Sequence, residues 1–453
     1  MAAFEKFRFQ TLDEIRQCAA DIGANLTFQD DLSPLHTPVR IGTLTTPNAM
    51  AVLPMEGCDS EPDGSPSELV RRRYRRFAGG GAGLIWYEAC AVVPEGRANA
   101  LQMYMHEGNA KQFAALLKEA NREALDRCGH KPVSVLQLTH SGRYCRPVGH
   151  KAAPIIPQHD PLLDPRVGLS SDDALITDDA LDALIEKYVA SAVLAREAGF
   201  DGVDIKACHR YLISELLASH TREGKYGGSF EHRIRFLLDV IDAVKKAVGT
   251  DFLIACRFNV YDAHPYPYGF GVDKDDWHQF DLTEPLQLVK ALVDRGVGLL
   301  SNSAGNPYFR FPQVTRPFDT PAIGGEIPDE HPLQSVARLF DFSRQIQSAA
   351  GDVPVIGNGY TWLRQFLPHA GAANLSAGDV QMIGTGRESF AYPNAPRDIV
   401  QRGGMDKNKV CIACSKCTQI MRDHGRTGCV IRDGAVYSPL YQEARQDAIK
   451  RES

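Results

Sequence analysis

Four cysteines near the C-terminus carry the plainest chemistry in the sequence. Cys411, Cys414, Cys417 and Cys429 follow the spacing C-x2-C-x2-C-x11-C. Two-residue gaps let one tight turn bring thiolates toward a single centre, and the fourth returns after a short excursion. Structural zinc more often uses two separated C-x2-C knuckles. A compact run of three with a distant fourth is closer to iron–sulfur ligation. A [4Fe-4S] cluster is therefore the first expectation and zinc the second. The other seven cysteines, Cys18, Cys58, Cys90, Cys128, Cys145, Cys208 and Cys256, are scattered. A secreted disulfide framework is denser and paired, so a reducing cytoplasm is expected.

A second group of reactive residues sits where short apolar runs end. These ends read Pro54-Met55-Glu56-Gly57, Glu88-Ala89, Gln137, Lys206-Ala207-Cys208-His209, Arg257, Asn302-Ser303, Gly357-Asn358-Gly359 and Gly384-Thr385-Gly386-Arg387. The last two sets suit a phosphate: glycines let backbone N–H groups approach an anion, and Arg387 can neutralise it.

The elements that must position these residues follow from periodicity. Strands are expected at 49–53, 82–88, 133–138, 201–206, 252–258, 297–302, 353–357 and 379–384. Amphipathic helical stretches such as AKQFAALLKEANREAL and HRIRFLLDVIDAVKKAVG separate them. Short buried strands alternating with helices mean parallel βα units. Eight units predict an α/β chain folded as a (β/α)8 TIM barrel, with its site at the strand C-termini. The GxGxxG of an open dinucleotide-binding sheet is missing after the first strand. We expect an N-terminal extension over 1–30, the barrel over 31–400, and a C-terminal cluster-binding segment and tail over 401–453.

Composition excludes several classes. Residues are 43% hydrophobic and 23% charged, as in globular domains rather than disordered chains. A net charge of −6 argues against nucleic-acid binding. No apolar run reaches the ~18 residues of a membrane span, and MAAFEKFRFQTLDEIRQ lacks a signal-peptide core. RRRYRR (71–76) reads as a solvated helix face with Leu69, Tyr74 and Phe77 turned inward. Glu231 and Arg233 are expected to hold a loop, and Trp86 and Tyr87 to pack the barrel. His106, His220 and His264 are expected to be structural or surface groups, whereas His140 is a site candidate. The segment 259–280 is either a lid over the site or an ordinary insertion.

Longer stretches resemble the old yellow enzyme-like NADH:flavin oxidoreductases, above all their iron–sulfur branch. They include LSPLHTPVRIGTLTTPNAMAVLPMEG, VLQLTHSGR, HRYL…YGGSFEHR, ACRFN, MIGTGRESFAYP and CIACSKC, and the resemblance spans roughly residues 30–435. It implies FMN over the strand ends of a barrel. Pro54, Met55 and Glu56 would run along the flavin, Ala89 and Gln137 would meet its pyrimidine edge, and Arg257 would stand near N1. Gly359, Gly386 and Arg387 would hold the phosphate. Tyr211 matches a tyrosine that protonates a substrate carbon, and His209 one of two groups that grip a substrate oxygen. Lys206 takes the place of the other, usually His or Asn. Its ammonium either faces substrate or pairs with Glu56.

Two further departures bear on substrate. Glu56 replaces the cysteine that trimethylamine dehydrogenase joins to flavin, and Pro307-Tyr308 stand where dienoyl-CoA reductases place a histidine. With one phosphate site legible, non-covalent FMN rather than FAD is expected. The implied activity is reduction of an activated C=C bond by hydride from FMN N5. Electrons would come from NAD(P)H, ferredoxin or a flavoprotein, through the cluster. Dehydrogenation or demethylation of an amine is the alternative, and a zinc-stabilised binding barrel the non-enzymatic one. The partners expected are a small-molecule substrate and an external electron donor or acceptor of those kinds, with homo-oligomers open, and neither nucleic acid nor membrane.

Overall fold

The computed structural model describes residues 3–309 and 316–452. A short antiparallel hairpin, β1 (Val39–Ile41) and β2 (Leu44–Thr46), leads into the first barrel strand. The barrel is β3 (Met50–Val52), β4 (Leu84–Ala91), β5 (Val133–Thr139), β6 (Gly202–Ile205), β7 (Leu253–Tyr261), β8 (Leu299–Ala304), β9 (Val355–Gly357) and β10 (Met382–Thr385). All eight pair in parallel in chain order, and β10 returns to β3 to close the ring. Every one overlaps a stretch expected from sequence. β4 and β7 run about three residues further toward the site than their apolar runs predict, because the residues beyond those runs still pair with neighbouring strands.

The hairpin plugs the opposite end. Val39 and Ile41 join Ala51, Leu84, Trp86, Val135, Ala255, Leu299 and Met382 in the barrel's apolar interior. Outside the strands lie α1 (Leu12–Asp21), α2 (Glu68–Ala78), α3 (Ala110–Cys128), α4 (Asp178–Ala198), α5 (Leu212–Leu217), α6 (Phe230–Val248), α7 (Thr283–Asp294), α8 (Pro332–Ala350) and α9 (Leu367–Ala377). α10 (Arg387–Ala391), α11 (Ala395–Arg402), α12 (Lys416–Arg422) and α13 (Gly434–Glu452) complete the chain. Local sequence sets their ends. Thr177 and Ser229 accept backbone N–H groups at the starts of α4 and α6. Gly199 ends α4 in the left-handed conformation, at φ +96°. The apolar faces of the helices and the outward residues of the strands form one continuous core.

One sequence expectation needs correction here. The arginine run on α2 is not a solvated face. Arg73 is 3% exposed and pairs with Asp59 at 2.5 Å and with Glu88 at 3.2 Å. Arg72 and Arg76 both reach Asp433, and Arg71 and Arg75 both reach Glu119. The run bolts the barrel to the C-terminal segment and to α3, a contact partner that helical periodicity alone cannot reveal. Within the N-terminal extension, Phe9, Ile15 and Phe28 share an apolar cluster with Trp362 and Leu363.

The segment after β7 is anchored rather than loose. Phe270 and Val272 are buried, and the Tyr261 hydroxyl donates to the Trp277 carbonyl at 2.9 Å. His264 is structural, as expected: buried, with Nε2 2.7 Å from Asp160. Arg233 holds a loop, donating to the Leu217 and Gly228 carbonyls and pairing with Glu284. Tyr87 stacks on Tyr74 at 4.1 Å outside the barrel, and Trp86 points into it.

Candidate active site at the strand C-termini

β3 ends at Val52, and the next turn carries Glu56 across the barrel mouth. β6, three strands away, ends at Ile205 and delivers Lys206. The Lys206 ammonium, 1% exposed, donates to Glu56 Oε1 at 2.8 Å. Of the two roles open to this lysine, the structure displays the ion pair. Tyr211 completes the group. Its hydroxyl donates toward Glu56, 3.4 Å from Oε1 and 3.3 Å from Oε2. Lys206 Nζ lies 3.9 Å from the centre of the Tyr211 ring, close enough for a cation–π contact. The Tyr308 hydroxyl donates to that of Tyr211 at 3.4 Å, and its ring stacks on Tyr144 with centroids 3.5 Å apart.

His209 and Tyr211 reach the site because the chain reverses sharply after β6. His209 and Arg210 are consecutive residues in the left-handed region, at φ +65° and +59°. Non-glycine residues held there are uncommon, and such strain clusters at functional sites. Arg210 holds the reversal in place. Only 1% exposed, its guanidinium pairs with Asp262 at 2.9 Å and lies 3.5 Å from Asp160 and 3.7 Å from Glu215. The His209 backbone N–H donates to Asn259 Oδ1 at 3.2 Å. Burial, reinforced by the charges of Arg257, Lys206 and Arg316, holds the His209 imidazole well below its ordinary pKa. It is therefore a neutral hydrogen-bonding group.

Beneath these residues a buried carboxyl organises the floor. Asp204 on β6 accepts from Gln137 Nε2 at 2.6 Å, from Trp86 Nε1 at 3.0 Å and from the Arg257 backbone N–H at 2.8 Å. Burial raises its pKa to about 7. With its amide nitrogen committed downward, Gln137 leaves its carbonyl oxygen for the site. On β4 a register shift between Tyr87 and Cys90 re-aims Glu88. Glu88 then accepts from the Gly57 N–H at 2.6 Å and fixes the turn that carries Glu56. Burial raises Glu88 to about 7 as well.

His140 is not part of this group. It is buried, pushed down to about 4 by burial, and accepts the Gly142 N–H at 3.1 Å. Pro54 and Ala89 are buried, and the Ala89 carbonyl is engaged by Gln102 at 3.3 Å. Gly359 takes φ +96°, and the space a side chain on Gly386 would need is filled by the Met55 sulfur. Arg387 is 5% exposed and donates to the Pro317 carbonyl at 2.9 Å, leaving its Nη1 without a partner.

Beyond Arg387 the four C-terminal cysteines line one cavity, which Arg387 and Phe390 also line. Left-handed Ala413 and Ser415, at φ +51° and +58°, wrap the chain around it. The Ala413 N–H donates to Cys411 Sγ at 3.4 Å and the Arg432 N–H to Cys429 Sγ at 3.2 Å. Among the described residues, no group of three or more His, Cys, Asp or Glu side chains is arranged to hold a metal ion. The thiols surround a space rather than a point.

The family model for the NADH:flavin oxidoreductase / NADH oxidase family matches residues 34–270, a little over half of the chain. The chain belongs to that family. It is 28% identical over 419 residues to an NADH oxidase of Thermoanaerobacter brockii, covering 91% of this chain and 58% of that protein. It is 26% identical over 457 residues to a cinnamate reductase of Clostridium sporogenes, covering 93% of this chain and 61% of that protein. The 2-naphthoyl-CoA reductase in complex with 2-naphthoyl-CoA shares the fold at TM-score 0.70 and 18% identity, over 91% of this chain and 58% of that one. The chain thus spans roughly three-fifths of these longer proteins.

The residues at the barrel mouth fit the flavin of an NADH:flavin oxidoreductase. Arg257 Nε and Arg387 Nη1 are buried donors without protein partners. Arg257 stands midway along β7 and Arg387 just past the end of β10, and an anionic phosphate and an electron-rich ring edge need cations. Three residues that the sequence does not single out matter to this arrangement: Asp204, Arg210 and Tyr144. Arg210 has a signal, a charged residue lodged between His209 and Tyr211 and followed by the buried helix α5. Asp204 lies inside an apolar strand and Tyr144 in a single 3-10 turn, and neither has one.

Proposed function

We propose that the protein is an FMN- and iron–sulfur-dependent oxidoreductase that reduces an activated C=C bond of the enoate or enone class. The observation that carries this reading is the assembly of Lys206, neutral His209 and Tyr211 at the barrel mouth, beside the unpartnered Arg257 Nε. FMN, when bound, supplies two-electron hydride chemistry. Gln137 and Arg257 would address its ring, and Gly359, Gly386 and Arg387 its phosphate. His209 can donate a hydrogen bond to a substrate carbonyl oxygen, and Tyr211 holds a proton for the α-carbon. Family membership and the relatives named for cinnamate and naphthoyl-CoA reduction support this class. Covalent flavin attachment of the trimethylamine dehydrogenase kind has no support, since a carboxylate held by Lys206 and Tyr211 stands at that position.

The four thiols suit a cluster because they are the soft donors it needs, and two already receive backbone N–H groups. An external electron donor also fits the surface. The chain is acidic overall, yet residues 391–433 hold eight Lys or Arg against four Asp. A cavity of about 600 Å³ lined by Arg72, Arg75, Arg76, Arg127, Lys409 and Arg432 adjoins the cysteines. No helix among the described residues is long and apolar enough to cross a membrane.

Anaerobic purification should yield a flavin spectrum with a broad cluster shoulder, and acid precipitation should release FMN. The reduced protein should then be reoxidised by cinnamate-type enoates, and amines should not reduce the oxidised protein. Stoichiometric zinc without iron, or turnover of amines alone, would overturn the reading.

A further inference from the structure

Tyr211 must regain a proton after each turnover, and the site surrounding it is closed. Its hydroxyl is buried under Tyr308 and Lys206, and the Lys206 ammonium is 1% exposed. Glu56 differs: its side chain is 14% exposed, so water reaches it. Both of its carboxylate oxygens stand within 3.4 Å of the Tyr211 hydroxyl, and Oε1 also accepts from Lys206 at 2.8 Å. One carboxylate therefore touches solvent, the proton-donating phenol and a fixed cation together. A residue serving only as counter-ion to Lys206 need not stand between the phenol and water.

We infer that Glu56 is a proton relay that reloads Tyr211 from solvent, with Lys206 as the cation that orients it. This rests on the proposed reduction of a C=C bond. The steps move protons only. As the substrate α-carbon gains its C–H bond, the Tyr211 O–H bond breaks and the electron pair stays on the phenolate oxygen. Glu56 takes a proton from water at the mouth and passes it to that oxygen, restoring the phenol and the carboxylate and leaving hydroxide in solvent. Flavin, when bound, would supply the hydride. Lys206 above the ring and the Tyr308 hydroxyl beside it stabilise the phenolate in the interval. The charged and titratable groups facing Glu56 are Lys206 and Cys208 from the end of β6, Tyr211 from the turn before α5, Tyr308 after β8, and Cys58 and Glu88 on the side of its own turn and β4.

The test compares first and later turnovers. Glu56→Gln keeps the shape and a hydrogen bond to each neighbour but cannot carry a proton. In stopped flow with excess reductant and enoate, the variant should show one product equivalent per site in a burst. Later turnovers should then run at least tenfold slower, a split absent in wild type. Glu56→Asp, which keeps a carboxylate, should bring first and later turnovers back together. Equal first and later rates in Glu56→Gln, whether fast or slow, would overturn the relay. A second readout needs neither substrate nor flavin. Burial and then the charge of Glu56 raise the Tyr211 phenol well above its ordinary pKa. The tyrosinate ultraviolet band should therefore appear at lower pH in Glu56→Gln than in wild type, and not in Glu56→Gln/Tyr211→Phe. An unshifted band would break the link between the two residues. A wild type that reduces no enoate would instead overturn the functional reading, with the band shift still reporting on Glu56 and Tyr211.

Discussion

Tyr211 and Lys206 show how the same few side chains answer different questions. A positioned acid contributes about a hundredfold or more to a proton-transfer step. Tyr211→Phe should accordingly slow reoxidation of the reduced protein by enoate about a hundredfold, with reduction of the flavin almost unchanged in single-mixing stopped flow. Equal reoxidation rates would leave Tyr211 as packing. Lys206 is a different case. Were it simply a substrate-facing cation, Lys206→Met would spare stability. Because it is buried against Glu56, removing it strands a largely desolvated carboxylate, which costs on the order of 3–5 kcal/mol. We expect Lys206→Met to melt well below wild type, and Lys206→Met/Glu56→Gln to recover part of that loss, since residues in contact are not additive. A single mutant as stable as wild type would mean that the pair is not maintained in solution.

Strands and helices are far more legible in the sequence than the contacts among them. Each of β3–β10 is a short apolar run bounded by turns, and burial on both faces of a parallel sheet writes that pattern directly into sequence. Most strand ends are legible too, which is why Glu56, Lys206 and Gln137 stand out from residue type and position alone; Arg257 closes the expected apolar run but lies inside β7, which continues to Tyr261. Asp204 does not stand out, because a single acid inside Gly202–Ile205 carries no periodic signal; only the geometry shows Gln137, Trp86 and Arg257 converging on it. The α2 arginines mislead for the same reason, since a charge pattern does not disclose a partner 361 residues away. Asp204 makes β6 pH-sensitive. Its folded pKa of about 7 lies above the ordinary carboxylate value near 4, so the folded state holds its proton more tightly. Stability from this group is complete below pH 4 and is lost as pH rises toward 7. Asp204→Asn should flatten that fall in denaturant titrations taken from pH 4 to 8, while weakening the hold on Gln137. A wild-type profile that does not fall across this interval would contradict the assignment.

The barrel and the cysteine segment meet through many ties but depend on different residues for their cofactors. The Thr427 N–H donates to the Gly57 carbonyl at 2.7 Å, that of Cys411 to Glu388 at 2.9 Å, and that of Asp319 to the Ala413 carbonyl at 3.0 Å, while Arg72 fastens Asp433. These contacts are backbone bonds and ion pairs that do not involve the cysteine sulfurs. The residues proposed to hold the flavin ring, Gln137 and Arg257, are fixed instead by Asp204 from inside the barrel. Losing one thiolate should therefore open the cluster site without unlocking the flavin site. Arg387 is the exception, because it lines the cysteine cavity while standing at the end of β10. Cys414→Ala leaves Arg387 and all of these ties in place. We expect the variant, purified anaerobically, to lose its iron and its broad visible absorbance while retaining most of its FMN and its circular dichroism. Flavin and iron lost together in equal proportion would mean that the two sites fold as one unit, with Arg387 rather than Asp204 as the residue on which flavin binding turns.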